Sequence, residues 1–165
     1  MKALIIYFST LGKTKKTAKA IGQSLSNYEV DYFGFELTGI FGQKVGTIGQ
    51  LEKGDFSSIS EDLSKLGDMN QDYNLFIFGM PTYGNKPPGV YKEIIKRVNI
   101  QGKPVAYFGT CAGNGWVTMD QVTTTIEEAG GNLIDKIRLR GFCKPKLKEA
   151  AKFGKSINDT LAVAG

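Results

Sequence analysis

The stretch Lys2-Ala3-Leu4-Ile5-Ile6-Tyr7-Phe8, followed directly by Ser9-Thr10-Leu11-Gly12-Lys13-Thr14, decides the fold class of this 165-residue chain. Residues 2–8 are a short apolar run rich in branched and aromatic side chains, which is typical of a buried parallel strand. A helical pattern begins directly after the loop. We therefore predict a β-strand that leads into the N-terminus of a helix through residues 9–14.

The loop has the properties of an anion site. The first N–H groups of a helix have no partner within the helix, and its dipole places partial positive charge there. Hydroxyl groups add hydrogen-bonding capacity, and a glycine lets the backbone come close to a ligand. We expect the whole loop to hold a phosphate: Ser9, Thr10, Leu11, Gly12, Lys13 and Thr14.

Two widespread nucleotide motifs do not match. Gly12-Lys13-Thr14 is similar to the end of a Walker A loop, but Tyr7 stands where that motif requires its first glycine. Gly113-Asn114-Gly115 lacks the third glycine of the dinucleotide fingerprint, because Thr118 occupies that position, and it lies late in the chain. A compact phosphomonoester fits better than a triphosphate or a dinucleotide.

The composition narrows the chemistry. The length fits one domain spanning residues 1–165. The chain has no histidine and two cysteines, Cys111 and Cys143, which we predict to be free thiols, Cys111 inert and Cys143 structural. Without histidine or a cysteine cluster we expect no metal site, so redox chemistry requires an organic cofactor. No run reaches membrane-spanning length and no secretory signal is visible, so we expect a cytoplasmic protein without membrane insertion.

The formal net charge is +5, and lysines cluster within residues 13–19 and 144–155. These runs are either solvated helix faces or a patch for an acidic protein partner or an anionic ligand. We predict no nucleic-acid binding, because no basic segment is interleaved with aromatic residues and no reader motif is present.

Strand and helix patterns alternate along the chain. Strands are predicted at residues 2–8, 29–36, 73–79, 103–108 and 132–140. Helices are predicted after the first loop and at 60–66, 89–98, 117–129 and 146–161, with Ser60 as an N-cap. The glycine-rich stretch 38–54 is interpreted as a folded-back flap or as a partner or dimer surface. Alternation of this kind predicts a parallel sheet covered by helices on both faces.

Three loops follow strands at the same edge of that sheet: 9–14, 80–88 and 109–116. Ligands of such sheets bind at this edge, where the strand order reverses. The second loop carries an aromatic residue, Tyr83. The third is a run of small residues with available backbone N–H groups, and it ends at Trp116, the only tryptophan. A phosphate binder, an aromatic platform and exposed amides are the features that flavin mononucleotide (FMN) requires.

The chain resembles the flavodoxin family over essentially its whole length. Residues 9–14 are similar to that family's phosphate loop, Thr/Ser-x-Thr-Gly-x-Thr, with Leu11 in place of one expected hydroxyl. Gly79-Met80-Pro81-Thr82-Tyr83, followed by Pro87-Pro88, looks like the segment that flanks the flavin ring. Residues 108–115 look like the loop at the pyrimidine edge. The resemblance implies an α/β, flavodoxin-like three-layer sandwich with a five-stranded parallel sheet of order 2-1-3-4-5.

The resemblance also implies one noncovalent FMN. Tyr83 either stacks on the ring or caps the sheet end, and Trp116 is either a second ring contact or an anchor for a helix start. Either Gly84 or the Thr82–Gly84 peptide is expected to flip and offer a carbonyl to N5–H of the reduced flavin. Beyond the first loop, the expected cofactor-binding residues are Pro81, Thr82, Tyr83, Gly84, Asn85, Thr110, Cys111, Ala112, Gly113, Asn114, Gly115 and Trp116.

Two functions stay open. The first is an electron carrier between redox partners, one of them acidic, because the basic charge departs from the acidic character of flavodoxins. The second is an FMN-dependent oxidoreductase that reduces quinones or another small acceptor with NAD(P)H. A receiver domain of similar topology is disfavoured because Tyr7-Phe8-Ser9 supplies no acidic cluster at the strand end. The oligomeric state does not follow from the sequence.

Overall fold

The computed structural model describes residues 1–69, 72–142 and 144–164, and it contains one sheet of five parallel strands. The predicted order is confirmed as β2-β1-β3-β4-β5. Cys143, predicted to be structural, lies outside the described residues. The strands are β1 Lys2–Ser9, β2 Glu29–Glu36, β3 Leu75–Pro81, β4 Pro104–Cys111 and β5 Asn132–Arg140.

Helices cover both faces of the sheet because side chains alternate along each strand. One face of β1 presents Ala3, Ile5 and Tyr7 to α1 and α6. The other presents Leu4, Ile6 and Phe8 to the core formed with α3, α4 and α5. The helices are α1 Lys13–Gly22, α2 Phe41–Glu52, α3 Ser60–Asp68, α4 Tyr91–Lys96, α5 Trp116–Glu128 and α6 Leu147–Ala164.

Most of the glycine-rich stretch forms a helix, α2, which the sequence analysis did not predict. Phe41, Val45 and Ile48 recur at a helical spacing, and this period outweighs the low helix propensity of the glycines between them.

The N-cap predicted at Ser60 is wrong. Ser60 is the first residue of α3, after a 3-10 turn at Ser57–Ile59. Its hydroxyl donates back to the carbonyl of Ser57 at 3.0 Å.

Strands β3 and β4 run further than the sequence predicts, to Pro81 and Cys111. Their last residues pair with each other, since Pro81 lies opposite Thr110 in the ladder. Residues 80–81 and 109–111, which we expected to be loop, are therefore strand residues. Their backbone positions relative to each other are set by the ladder between β3 and β4.

Across the described ranges, none of the helices combines the length and the apolar character that a membrane crossing needs.

Candidate functional site

A cleft of about 300 Å³ opens at the carboxyl edge of the sheet. It lies at the ends of β1, β3 and β4, which includes the place where the chain order in the sheet reverses. Eleven of the predicted residues line it: Ser9, Thr10, Leu11, Lys13, Thr14, Pro81, Thr82, Tyr83, Thr110, Cys111 and Ala112.

Hydroxyl pairs tie the three loops to one another. Thr14 Oγ1 lies 2.8 Å from Thr110 Oγ1 and so joins the first loop to the third. The hydroxyls of Thr10 and Tyr83 form a second hydrogen bond, between the first loop and the second. Because each hydroxyl both donates and accepts, these groups retain capacity for a ligand.

The first loop ends in a helix start that is suited to an anion. Gly12, immediately before α1, has φ +84, a left-handed conformation that favours glycine. The N–H of Lys15 donates to Ser9 Oγ at 3.4 Å. The amides of Lys13 and Thr14, in the first turn of α1, have no acceptor within the helix. The dipole of this ten-residue helix adds partial positive charge at the same place.

Tyr83 places an aromatic ring at the cleft. Its ring meets Phe8 edge-on, with 6.4 Å between the centroids. Burial raises the pKa of Tyr83 to about 12, and the hydrogen bond with Thr10 opposes that shift, so the phenol is neutral at physiological pH.

A two-residue turn follows Tyr83. Two backbone hydrogen bonds between Tyr83 and Lys86 close it, and its central residues, Gly84 and Asn85, have φ +52 and +72. Positive φ at both central positions defines a type I′ turn. Gly84 and Asn85 do not line the cleft.

The third loop contributes less than predicted. Cys111 and Ala112 line the cleft, whereas residues 113–116 do not. Trp116 is the first residue of α5, half exposed, and the guanidinium of Arg138 lies 4.3 Å from its ring centroid. It is therefore not a buried anchor of the helix start.

Sequence reasoning missed two walls of the cleft. Phe41, Val45 and Ile48 of α2 form one, and Lys44 Nζ from that helix donates to the carbonyl of Thr10 at 3.0 Å. The helical spacing of the apolar residues in α2 is the sequence pattern that could have predicted this wall. The other wall comes mainly from the β5–α6 connection: Thr17, Leu139, Gly141, Lys144, Pro145 and Lys146 complete the lining.

The electrostatics of the cleft favour an anion. Lys13, Lys144 and Lys146 line it, and none of the described lining residues is acidic. Lys13 Nζ donates to the carbonyl of Phe142, which links α1 to the β5–α6 connection. All three belong to the lysine runs 13–19 and 144–155, which the sequence analysis interpreted as solvated helix faces or as a patch for an acidic protein partner or an anionic ligand.

Comparison with solved structures shows a flavodoxin-like fold. A flavodoxin from the domain Archaea is 21% identical, with 98% of this chain and 99% of that chain covered and a TM-score of 0.62. A flavoprotein in complex with FMN from Lactobacillus acidophilus is 20% identical, with 83% and 92% covered and a TM-score of 0.54.

Sequence comparisons agree with this class. A flavodoxin of Maridesulfovibrio salexigens is 22% identical over 171 residues, which are 97% of this chain and 99% of that protein. Residues 1–147 match the family described as NADPH-dependent FMN reductase, and the chain belongs to that family.

Proposed function

We propose that the cleft binds one FMN noncovalently and that the protein transfers electrons between redox partners in the cytoplasm. The observation that carries the proposal is the convergence of three hydroxyl-linked loops at the carboxyl edge of the sheet. When bound, FMN supplies the redox chemistry by accepting and releasing electrons.

The residues present fit this cofactor. The start of α1, Thr14 and Lys13 offer amides, a hydroxyl and positive charge to the phosphate. Tyr83 offers a neutral aromatic surface to the ring. Residues 108–115 are assigned to the pyrimidine edge, and the carbonyl of Gly84 or of the Thr82–Gly84 peptide to N5–H of the reduced flavin. An absorption spectrum of the purified protein tests the proposal, since a flavin-free spectrum that FMN does not restore would contradict it.

We infer that the redox partner is acidic. Helices α1 and α6 pack against each other through Ala18, Ile21, Ala150, Phe153 and Ile157, which brings their lysine runs onto one side of the molecule. Such a surface increases the rate of encounter with an acidic protein in a salt-dependent way.

Lys148 and Lys152 are the residues with which to test this surface. Both are exposed on α6 and neither lines the cleft, whereas Lys144 and Lys146 do and would confound the result. We expect Lys148→Glu with Lys152→Glu to slow electron transfer to an acidic redox protein and to leave FMN affinity unchanged. Rates that stay flat between 0.1 M and 1 M salt, where the Debye length falls from about 10 Å to about 3 Å, would exclude electrostatic docking.

The second candidate is an FMN-dependent reductase that uses NAD(P)H. The match to the NADPH-dependent FMN reductase family favours it. NAD(P)H oxidation measured with and without a quinone separates the two functions: turnover by the isolated protein indicates a reductase, and its absence indicates a carrier.

A further inference from the structure

Two arginines of β5 donate hydrogen bonds to backbone carbonyls of the third loop. Arg138 Nη1 donates to the carbonyl of Asn114, and Arg140 Nε donates to the carbonyl of Ala112 at 3.5 Å. Neither arginine lines the cleft. Two carbonyls of the loop therefore accept hydrogen bonds from arginines, and Ala112 of the same loop lines the cleft.

The third loop is closely packed at Gly115. A Cβ at Gly115 would lie 2.8 Å from Cys111 Sγ and 3.3 Å from Arg138 Cδ, so the backbone is packed closely against both side chains. The Arg138 guanidinium also stacks on Trp116, which begins α5. Arg138 thus acts on the loop through a hydrogen bond, an aromatic contact and direct packing.

The charge of Arg138 is not neutralised by a carboxylate. No salt bridge within the described residues involves Arg138, and its Nε is buried without a hydrogen-bond partner there. A partly buried cation without a counter-ion acts strongly on nearby charge, because the local dielectric is low. The lysines that line the cleft are positively charged like Arg138. Together these cations favour a new negative charge in the cleft.

We propose that Arg138, assisted by Arg140, stabilises the negative charge that the flavin acquires on reduction, so that the protein binds reduced FMN at least as tightly as oxidised FMN. This inference rests on the proposed FMN site and on the assignment of the third loop to the pyrimidine edge. The oxidised ring is neutral. It takes up two electrons and one proton, from a hydride donor or a chemical reductant, and becomes an anion. Arg138 is a positioning and electrostatic residue that does not touch the ring.

The test compares the Kd of oxidised FMN with that of FMN reduced anaerobically with dithionite. For Arg138→Gln we expect reduced FMN to bind about tenfold more weakly while oxidised FMN changes less than threefold. A tenfold change in that ratio lowers the two-electron midpoint potential by about 30 mV. Arg138→Lys, which keeps the charge, should restore most of the difference. Lys155→Gln removes an equal charge from an exposed position of α6 and should change neither Kd.

Each other outcome has one meaning. Equal loss of both affinities in Arg138→Gln would reduce Arg138 to a structural support of the loop and overturn the inference. Wild-type protein that binds oxidised FMN tenfold more tightly than reduced FMN would also overturn it. If wild-type protein bound no FMN in either state, the proposed function would fail and the inference with it. Should Arg138→Gln not fold, as judged by circular dichroism, Arg140→Gln is measured instead with the same expected direction.

Discussion

Two walls of the cleft, the loop 9–14 with the start of α1 and the helix α2, are built in opposite ways. In the first, which we call the phosphate wall, Ser9, Thr14 and Thr17 are almost fully buried. In the second, the α2 wall, Phe41 and Val45 remain 66% and 50% exposed, and within this fully described helix only Leu51 is buried. The phosphate wall is part of the core, whereas the α2 wall is attached to it at one end.

Glycines show the same difference. Gly12 needs its residue type, because its φ of +84 is unfavourable for a side chain. Gly42, Gly46 and Gly49 of α2 do not, since a Cβ at each would meet nothing within 4 Å. Three glycines within a twelve-residue helix weaken it by roughly 0.5–1 kcal/mol each relative to alanine. By burial and by intrinsic helix propensity, α2 is therefore the less firmly attached of the two walls.

The largest expected effect is on the phosphate wall. Thr14→Ala removes a hydroxyl donor to a phosphate dianion, and a hydrogen bond to a charged group is worth about 1.5–3 kcal/mol, so FMN should bind roughly ten- to hundredfold more weakly. Fluorescence titration with FMN and with riboflavin measures this, and riboflavin affinity should hardly change. Thr47→Ala on α2, whose hydroxyl donates only within its own helix to the carbonyl of Gln43, is the matched control. Equal losses for the two flavins would show that Thr14 does not recognise the phosphate.

The next effect concerns the aromatic contacts. Tyr83→Ala should reduce FMN affinity by about 1–3 kcal/mol, with stacking of bases on aromatic side chains as the guide. Tyr83→Phe keeps the ring and loses the hydrogen bond to Thr10, so it should retain most of the affinity. Phe41→Ala on the α2 wall should cost less, because Phe41 is mostly exposed. If Phe41→Ala were the more damaging change, α2 and not Tyr83 would provide the main ring contact.

A pair of glycine substitutions tests the comparison directly. Gly12→Ala should lower the free energy of unfolding by about 1–2 kcal/mol, because alanine is strained in the left-handed region. Gly46→Ala should raise it by roughly 0.5–1 kcal/mol, since the space is open and the helix propensity improves. Urea unfolding of the two variants beside wild type gives both values. Changes of the same sign would mean that the two walls do not differ as the structure indicates.

The smallest effect is pH-dependent. Burial alone would raise the pKa of the Glu36 carboxyl, but hydrogen bonds from Tyr7 at 2.7 Å and Lys15 at 2.9 Å lower it below its ordinary value of 4.5. The stabilisation is therefore present above pH 4.5 and is lost as the pH falls through the lowered pKa of the folded state.

Since the Glu36 pair is partly exposed, Glu36→Gln should cost only about 0.2–1 kcal/mol at pH 7. The difference from wild type should shrink at pH 3, measured by urea unfolding at both values. Lys44→Met on the α2 wall removes a hydrogen bond to a carbonyl, which does not titrate, and should show no such dependence. An undiminished Glu36→Gln effect at pH 3 would point to packing instead of charge.

Eleven cleft-lining residues could be predicted from the sequence, because their information is local, whereas the order of the sheet followed from the resemblance to the flavodoxin family. An apolar run such as residues 2–8 predicts a buried strand. A hydroxyl- and glycine-bearing loop before a helix predicts an anion site, wherever the strand lies in the sheet. The side-by-side arrangement of the three loops also followed, since the carboxyl ends of parallel strands share one edge.

The remaining walls depended on the tertiary structure. Phe41 and Lys146 are far from the loop 9–14 in sequence and have no motif, and only the packing of α2 and the path of the β5–α6 connection bring them to the cleft. Likewise, Trp116 ends a loop that suggests a ring contact, and only the fold shows that Arg138 of β5 lies over its ring. Local sequence determined the strands and the first loop, because propensity and periodicity act over a few residues. The tertiary structure decided which distant cations and apolar side chains close the site, because charge and packing act between segments whose positions only the completed fold sets.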